Sequence, residues 1–192
     1  MLTHIPASTV IQTFGLTAVT YFPRTAGSHL HEPTARFLSR VGLPENSFFS
    51  PRLDLEDQAS PRLGNTPTLK ADFDADGAEC PPEAEGWEAL GGFIYATVAL
   101  DPRDGKIYTF PEGEEFYVPM HADVSSLVHS LLVLEQGKAD YKNQPHDDEG
   151  AAGAEAVERM KQRITEVDPT PFANADSEWE KLFEEISFGM WG

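Results

Sequence analysis

The segment GFIYATVALDPRDGKIYTF, residues 92–110, holds the pattern that most restricts how this chain can fold. Runs rich in β-branched and aromatic residues flank the polar stretch Asp101–Gly105, which predicts two antiparallel strands joined by a turn. Asp104 and Gly105 are residue types expected where a turn needs a positive φ. The stretch Glu115–Met120 has a similar composition and predicts a third neighbouring strand. The chain is therefore expected to build an antiparallel sheet around this hairpin.

Amphipathic patterns on both sides of the hairpin predict helices. Pro33 suits the first turn of a helix that ends at Gly42, and Asp123 can cap a long helix after the sheet. A narrower apolar stripe indicates another helix, and Asp176 or Ser177 can cap a last one. These patterns predict a single-domain α+β fold with a mixed, mostly antiparallel sheet flanked by helices. The residues expected on the buried helix faces are Phe37, Leu38, Val41, Val124, Leu127, Val128, Leu131, Leu132, Val157, Met160, Ile164, Val167, Trp179, Leu182, Phe183 and Ile186.

The remaining segments carry weaker signals. Residues 9–22 are rich in β-branched and aromatic types, which predicts strand character interrupted at Gly15. Residues 51–90 form an irregular acidic insert, expected to hold one or two short strands and to add little to the core. A polar stretch around residues 142–152 predicts a flexible connection. A chain of 192 residues is short for two cores, so one domain over residues 1–192 is expected.

Charge and cysteine usage argue against several classes of function. The chain has 32 acidic and 14 basic residues and a formal net charge of -18, and a surface of this sign repels phosphate backbones and anionic lipid headgroups. We therefore expect a basic protein partner, and neither nucleic acid nor a membrane surface. Cys80 is the one cysteine, which excludes an internal disulfide and multi-cysteine zinc sites. Without a signal-peptide pattern or an apolar run of ~20 residues, the chain is expected to be cytoplasmic.

Residues 72–83 match the calcium-loop pattern of an EF-hand, whose acidic positions are occupied by Asp72, Asp74, Asp76 and Glu83. An EF-hand loop must lead into a helix, but Pro81 and Pro82 lie where that helix would begin. We therefore interpret the stretch as a solvated acidic loop. Weak calcium binding at the surface is the alternative.

The sequence contains no pattern for catalysis or for a resident cofactor. Cys80 lies among acids and prolines, a setting that raises the pKa of a thiol and suppresses the reactive thiolate. The glycine pair Gly91 and Gly92 precedes a strand, whereas phosphate-binding loops follow one. His29 and His31 lie two residues apart, but no further ligands for a metal can be nominated, so the histidines are interpreted as surface or capping residues. No catalytic residue, metal site or cofactor is predicted.

The acidic residues are clustered. Residues 72–88 contain seven acids and residues 147–158 contain five, with no Lys or Arg in either run. Runs of one sign are usually solvated faces or loops. On a folded domain they are also candidate surfaces for a basic protein.

The order of several segments resembles one known family. These segments are TARFLSRVGLP (34–44), the Leu90-Gly91-Gly92 lead-in to a strand, LDPRDGKIY (100–108), DVSSLVHSLL (123–132) and SEWEKLFEEISFGMW (177–191). Together they resemble the SUKH superfamily, and more narrowly its fourth subfamily, found among bacterial immunity proteins. The resemblance implies an α+β domain that protects a bacterium by binding a toxin, often a nuclease or a nucleotide deaminase.

The preferred hypothesis is therefore a non-enzymatic immunity protein that binds and neutralises a cognate, basic toxin. A regulatory or scaffolding module that recognises an unrelated protein is the first alternative, and a small enzyme or calcium-dependent protein is the second. The acids expected to meet the partner ring the hairpin edge and extend into the acidic insert. They are Asp72, Asp74, Asp76, Asp101, Asp104, Glu112, Glu114 and Glu115.

Overall fold

A computed structural model describes residues 2–24, 29–52, 68–114, 116–142 and 151–188. The helices are α1 (Ala7–Phe14), α2 (Glu32–Arg40), α3 (Leu69–Asp76), α4 (Val124–Lys142), α5 (Ala151–Thr165) and α6 (Glu178–Ser187). The strands are β1 (Val19–Thr20), β2 (Leu43–Pro44), β3 (Phe49–Pro51), β4 (Glu88–Phe93), β5 (Ala96–Leu100), β6 (Ile107–Pro111) and β7 (Val118–His121). This content confirms the predicted α+β fold.

Strands β3 to β7 form one five-stranded sheet in sequence order, and β1 pairs with β2 separately. Every pairing between the described strands is antiparallel, where the sequence predicted a mixed, mostly antiparallel sheet. The predicted hairpin is confirmed as β5 and β6, in register from Ala96 opposite Pro111 to Leu100 opposite Ile107. The third predicted strand is confirmed as β7. Gly105 has a φ of 82°, and a Cβ there would meet Thr34 at the start of α2.

The first strand of the predicted hairpin is interrupted, which the sequence pattern did not predict. Ile94 and Tyr95 form a turn that separates β4 from β5, so residues 92–100 belong to two strands. Ile94 has a φ of 54°, a conformation that costs a β-branched residue about 1–3 kcal/mol. Neither of the two turn residues is the Gly, Asn or Asp that usually marks such a turn, and therefore the composition of residues 93–100 resembles one continuous strand.

Helices α2, α4 and α6 form where their caps and apolar stripes predict them. Asp123 Oδ1 accepts hydrogen bonds from the backbone N–H groups of Ser125 and Ser126, at 2.8 and 3.1 Å, and so caps α4. Ser177 caps α6 by accepting from the N–H of Trp179 at 3.1 Å. All the predicted buried-face residues are buried except Val167, which follows α5 and is 38% exposed.

Two helices replace predicted strand or loop structure. The β-branched residues of 9–14 lie in α1, which packs against α4 and buries Val10 completely, so packing overrides the local strand propensity. Residues 72–76, the first part of the predicted solvated loop, lie in α3; Leu69 of that helix is 1% exposed. The weak amphipathic pattern of α3 gave no helical signal. Most of the proposed flexible connection, residues 143–150, lies outside the described residues.

The sheet has apolar residues packed on both faces. Helices α1, α2, α4, α5 and α6 contribute to the main core, which includes Phe93, Val98, Leu100 and Ile107 from the sheet. A second, smaller cluster lies on the other face and contains Leu69, Cys80, Ala84, Trp87, Ala99 and Phe110. The insert therefore contributes to the core, contrary to the prediction that it adds little.

A buried polar network joins the last strand to the last helix. The indole N–H of Trp179 donates to His121 Nε2 at 2.9 Å, and His121 Nδ1 lies 3.4 Å from Asp168 Oδ2. Burial lowers the pKa of His121, so the imidazole is neutral with its proton on Nδ1, facing Asp168. Burial alone would raise the pKa of Asp168, but the adjacent His121 ring and hydrogen bonds from the backbone N–H groups of Thr170 and Ala122 hold that pKa below its usual value. His121 is thus a core residue, where a surface or capping role was predicted.

Trp179→Phe should destabilise the protein by about 2–4 kcal/mol, because it opens space in the core and leaves His121 Nε2 buried without its donor. Trp87 provides a matched control, since it is equally buried and its indole N–H has no hydrogen-bond partner in the described part of the chain. Trp87→Phe should cost only about 1–2 kcal/mol. Urea unfolding of both variants measures the difference. Equal losses would contradict a stabilising role for the Trp179–His121 bond.

Candidate binding face

A cleft of about 570 Å³ lies between α3 and two turns of the sheet. Its walls are apolar and aromatic: Phe73 projects from α3, and Phe110 meets it edge to face at 5.4 Å between ring centroids. Ile94 and Tyr95, from the strained turn, form the opposite lip. Among the described residues, the fold therefore leaves an open, partly apolar recess on the sheet face that carries the smaller cluster.

A second hollow of about 450 Å³ adjoins the cleft and shares Tyr95 and Glu112 with it. Phe116 lies in this hollow, beside the start of α6. Tyr95 is 72% exposed and Phe116 is 48% exposed. Exposed aromatic side chains beside a recess are typical of protein-binding surfaces, because they lose large apolar areas to a partner at little conformational cost.

The rim of the two recesses is acidic. Asp72, Asp76, Glu112 and Glu114 line the cleft, and its described lining residues include no lysine or arginine. Asp72 pairs with Arg52, whereas no Lys or Arg of the described residues forms an ion pair with the other three carboxylates. In the second hollow Lys181 pairs with Glu178 at 2.7 Å. We call this surface the acidic face and define it as Tyr95 and Phe116 with Asp72, Asp76, Glu112, Glu114 and Asp176.

The structure brings together about half of the acids nominated from the sequence. Asp72, Asp76, Glu112 and Glu114 converge on the cleft. Asp74 points elsewhere on α3 and pairs with Lys70 at 3.2 Å, because residues two apart on a helix face different sides. Glu115 lies outside the described residues.

Asp101 and Asp104 lie at the opposite end of β6 from the cleft, roughly 15 Å away at about 3.3 Å per residue. Burial alone would raise the pKa of Asp101, but hydrogen bonds from Arg103 outweigh it and keep that pKa below its usual value. Asp104 pairs with Lys106 at 2.8 Å. Both carboxylates are therefore engaged in holding the β5–β6 turn.

The helical conformation of α3 also separates the acids of the EF-hand pattern. No group of three or more His, Cys, Asp or Glu in the described residues has the arrangement of a metal site. Cys80 is buried, which raises the pKa of its thiol, as its sequence context predicted.

Sequence reasoning missed the aromatic residues and Asp176 on the acidic face. Tyr95 belongs to a segment that resembles a strand, so its position in a turn could not be read from composition. Phe116 stands next to a predicted strand, and Asp176 was nominated as a cap only. A turn signal between β4 and β5 would have identified Tyr95 as a surface residue. The turn contains no typical turn residue, so the sequence gives no such signal.

A buried acid lies away from this face, on β4. Glu88 is 1% exposed, and its Oε1 lies 2.7 Å from His29 Nε2. Its Oε2 has no hydrogen-bond partner within the described ranges. Burial raises the pKa of Glu88 to about 7, so the carboxyl can keep a proton and share it with the imidazole.

Comparison with known proteins identifies the family. A model of the SUKH-4 immunity protein family matches residues 5–185. The chain belongs to this family. Searches of curated proteins and of solved structures found no match. Membership in the SUKH-4 immunity protein family confirms the resemblance inferred from the sequence and identifies the chain as an immunity protein, a class that is generally not catalytic and whose partner is a protein toxin.

No helix among the described residues is long and apolar enough to cross a bilayer. The SUKH-4 match spans all six helices apart from the end of α6. It also covers both recesses, so the acidic face lies within the region that defines the family.

As the pH rises, the free energy of unfolding of Glu88→Gln should fall less than that of the wild type. The pKa of Glu88 is about 7 in the folded state and lower when unfolded, so its contribution is fully present below about pH 4.5 and is lost as the pH rises through 7. Between about pH 5 and pH 7 the free energy of unfolding of the wild type should fall relative to Glu88→Gln by up to about 1.4 kcal/mol per pH unit. Denaturant titrations at several pH values measure this slope. Parallel curves for the two proteins would show that Glu88 is not protonated in the fold.

Proposed function

We propose that this protein binds a cognate toxin in the cytoplasm of the producing bacterium and blocks its active site, and that the toxin is a nuclease or a nucleotide deaminase. Family membership supports the immunity role. The observation that carries the choice of surface is the acidic face, where exposed aromatics stand beside Asp76, Glu112 and Glu114, and these three carboxylates form no ion pair with a Lys or Arg of the described chain.

The chemistry of the partner follows from the charge of its substrate. An enzyme that acts on nucleic acid needs a positively charged groove, because it must bind a phosphate backbone. The acidic face, on a chain with a net charge of -18, is complementary to such a groove. Opposite charges accelerate encounter, and burial of Tyr95 and Phe116 would slow dissociation. Occlusion of the groove is sufficient for protection and needs no catalysis by this chain.

Charge reversal tests this assignment. In the triple variant Asp76→Lys, Glu112→Lys and Glu114→Lys, we expect the association rate with a toxin co-encoded with this chain to fall by about 10- to 100-fold at low salt. Surface plasmon resonance at two ionic strengths measures the rate. The difference should shrink at high salt, because screening weakens steering.

A second triple variant provides a matched control. Glu155, Glu158 and Glu166 are exposed on and just after α5, which packs on α4 and α6 behind the main core. Their reversal changes the net charge by the same amount but should slow association by less than about threefold. If both variants slow association equally, the acidic face is not the binding surface. A wild-type chain that binds no neighbouring toxin would favour the regulatory or scaffolding alternative.

A further inference from the structure

The turn that presents Tyr95 is the most unusual backbone feature of the acidic face. Ile94 is the one non-glycine residue with a positive φ among the described residues. Its side chain packs against the main core, and its backbone N–H donates to the Phe48 carbonyl at 2.9 Å. The Tyr95 carbonyl accepts from the N–H of Glu112 at 2.9 Å. Strain that is held in place by such contacts is characteristic of sites that need a fixed geometry.

The consequence of this strained turn is an aromatic ring held in solvent. Tyr95 is 72% exposed although the residues before and after it are anchored to the sheet. Ile94 packs against the main core, whereas the exposed ring of Tyr95 buries little surface and so contributes little to folding. The strained turn fixes the Tyr95 side of the cleft before a partner binds, which reduces the conformational entropy lost on binding.

The walls and the rim of the cleft favour one kind of occupant. Phe73 and Phe110 make the recess apolar, which suits the aliphatic part of a long side chain. Asp76, Glu112 and Glu114 place three negative charges at the mouth, without a basic partner in the described residues. Their charge excludes an acidic or phosphorylated occupant and favours a cation.

An arginine matches these groups better than a lysine. The planar guanidinium stacks on aromatic rings and donates in parallel to carboxylate oxygens, whereas the ammonium of lysine is a strongly hydrated point charge. Tyr95 offers the ring and the two glutamates of the adjoining turn offer the carboxylates. Asp72 in the same rim already pairs with a guanidinium, that of Arg52.

We infer that the cleft between α3 and the Tyr95 turn receives an arginine side chain of the protein partner, stacked on Tyr95 and paired with the carboxylates of the rim. This inference rests on the proposed function, in which the partner is a protein toxin. An arginine from the substrate-binding groove of that toxin would then be unable to contact phosphate. The cleft would thus block the toxin by capturing one of the groups on which its substrate binding depends.

The first test measures affinity for the proposed cognate toxin. Tyr95→Ala should raise the Kd at least about 30-fold, mostly through faster dissociation. Tyr95→Phe should change it by less than about threefold, because the ring is retained. Phe188 is a matched control, since it is 73% exposed and lies at the end of α6. If Phe188→Ala weakens binding as much as Tyr95→Ala, the inference is wrong while the immunity role stands.

The second test needs no toxin and separates the inference from the proposed function. The ¹⁵N-labelled chain is titrated with the peptide acetyl-Gly-Arg-Gly-amide and with its lysine and citrulline counterparts. We expect the arginine peptide to shift the amide signals of residues 94–97 and 112–114, and Tyr95→Ala to abolish the shifts. The citrulline peptide should give none, because it keeps the shape of arginine without its charge. Equal shifts with all three peptides, or none with arginine, would overturn the inference.

Discussion

A buried hydrogen bond from the indole of Trp179 to the imidazole of His121 joins α6 to β7, the last strand of the sheet. It requires a neutral imidazole in a fixed tautomer, which Asp168 and burial together provide. Phe93 and Phe183 pack against the same indole. Because α6 is held in this way, Asp176 and Phe116 come to line one hollow with Tyr95. The bond from Trp179 to His121 therefore helps to position the start of α6, beside which Asp176 of the acidic face lies.

The two faces of the sheet serve different purposes. One face is covered by helices and supplies most of the apolar burial. The other carries a cluster in which Trp87 stacks on Tyr108 at 4.2 Å and α3 rests on Phe110. This smaller cluster supports α3 without closing the space beside it, so an open recess remains next to the strained turn. The proposed binding surface is a consequence of incomplete cover on this second face by the described residues.

Most of the fold could be predicted from the sequence, whereas only part of the candidate site could. Caps at Asp123 and Ser177 and wide apolar stripes identify α4 and α6, because local signals and packing agree there. Helices α1 and α3 were missed, since β-branched residues in one and weak amphipathicity in the other conceal a conformation set by packing. The acidic face combines residues from four separate segments. Its charge could be anticipated from composition, but its aromatic centre depends on a turn at Ile94 that carries no sequence signal.

Hydrogen–deuterium exchange of the chain with and without the proposed cognate toxin tests the central claim most directly, since it reports where the partner lies without altering any residue. If the acidic face is the binding surface, the toxin slows amide exchange in residues 72–78, 94–97, 111–114 and 116–118, around the two recesses. Exchange in α5 should stay unchanged. Slower exchange confined to α5 and the outer surface of α4, with none around Tyr95, would contradict the account.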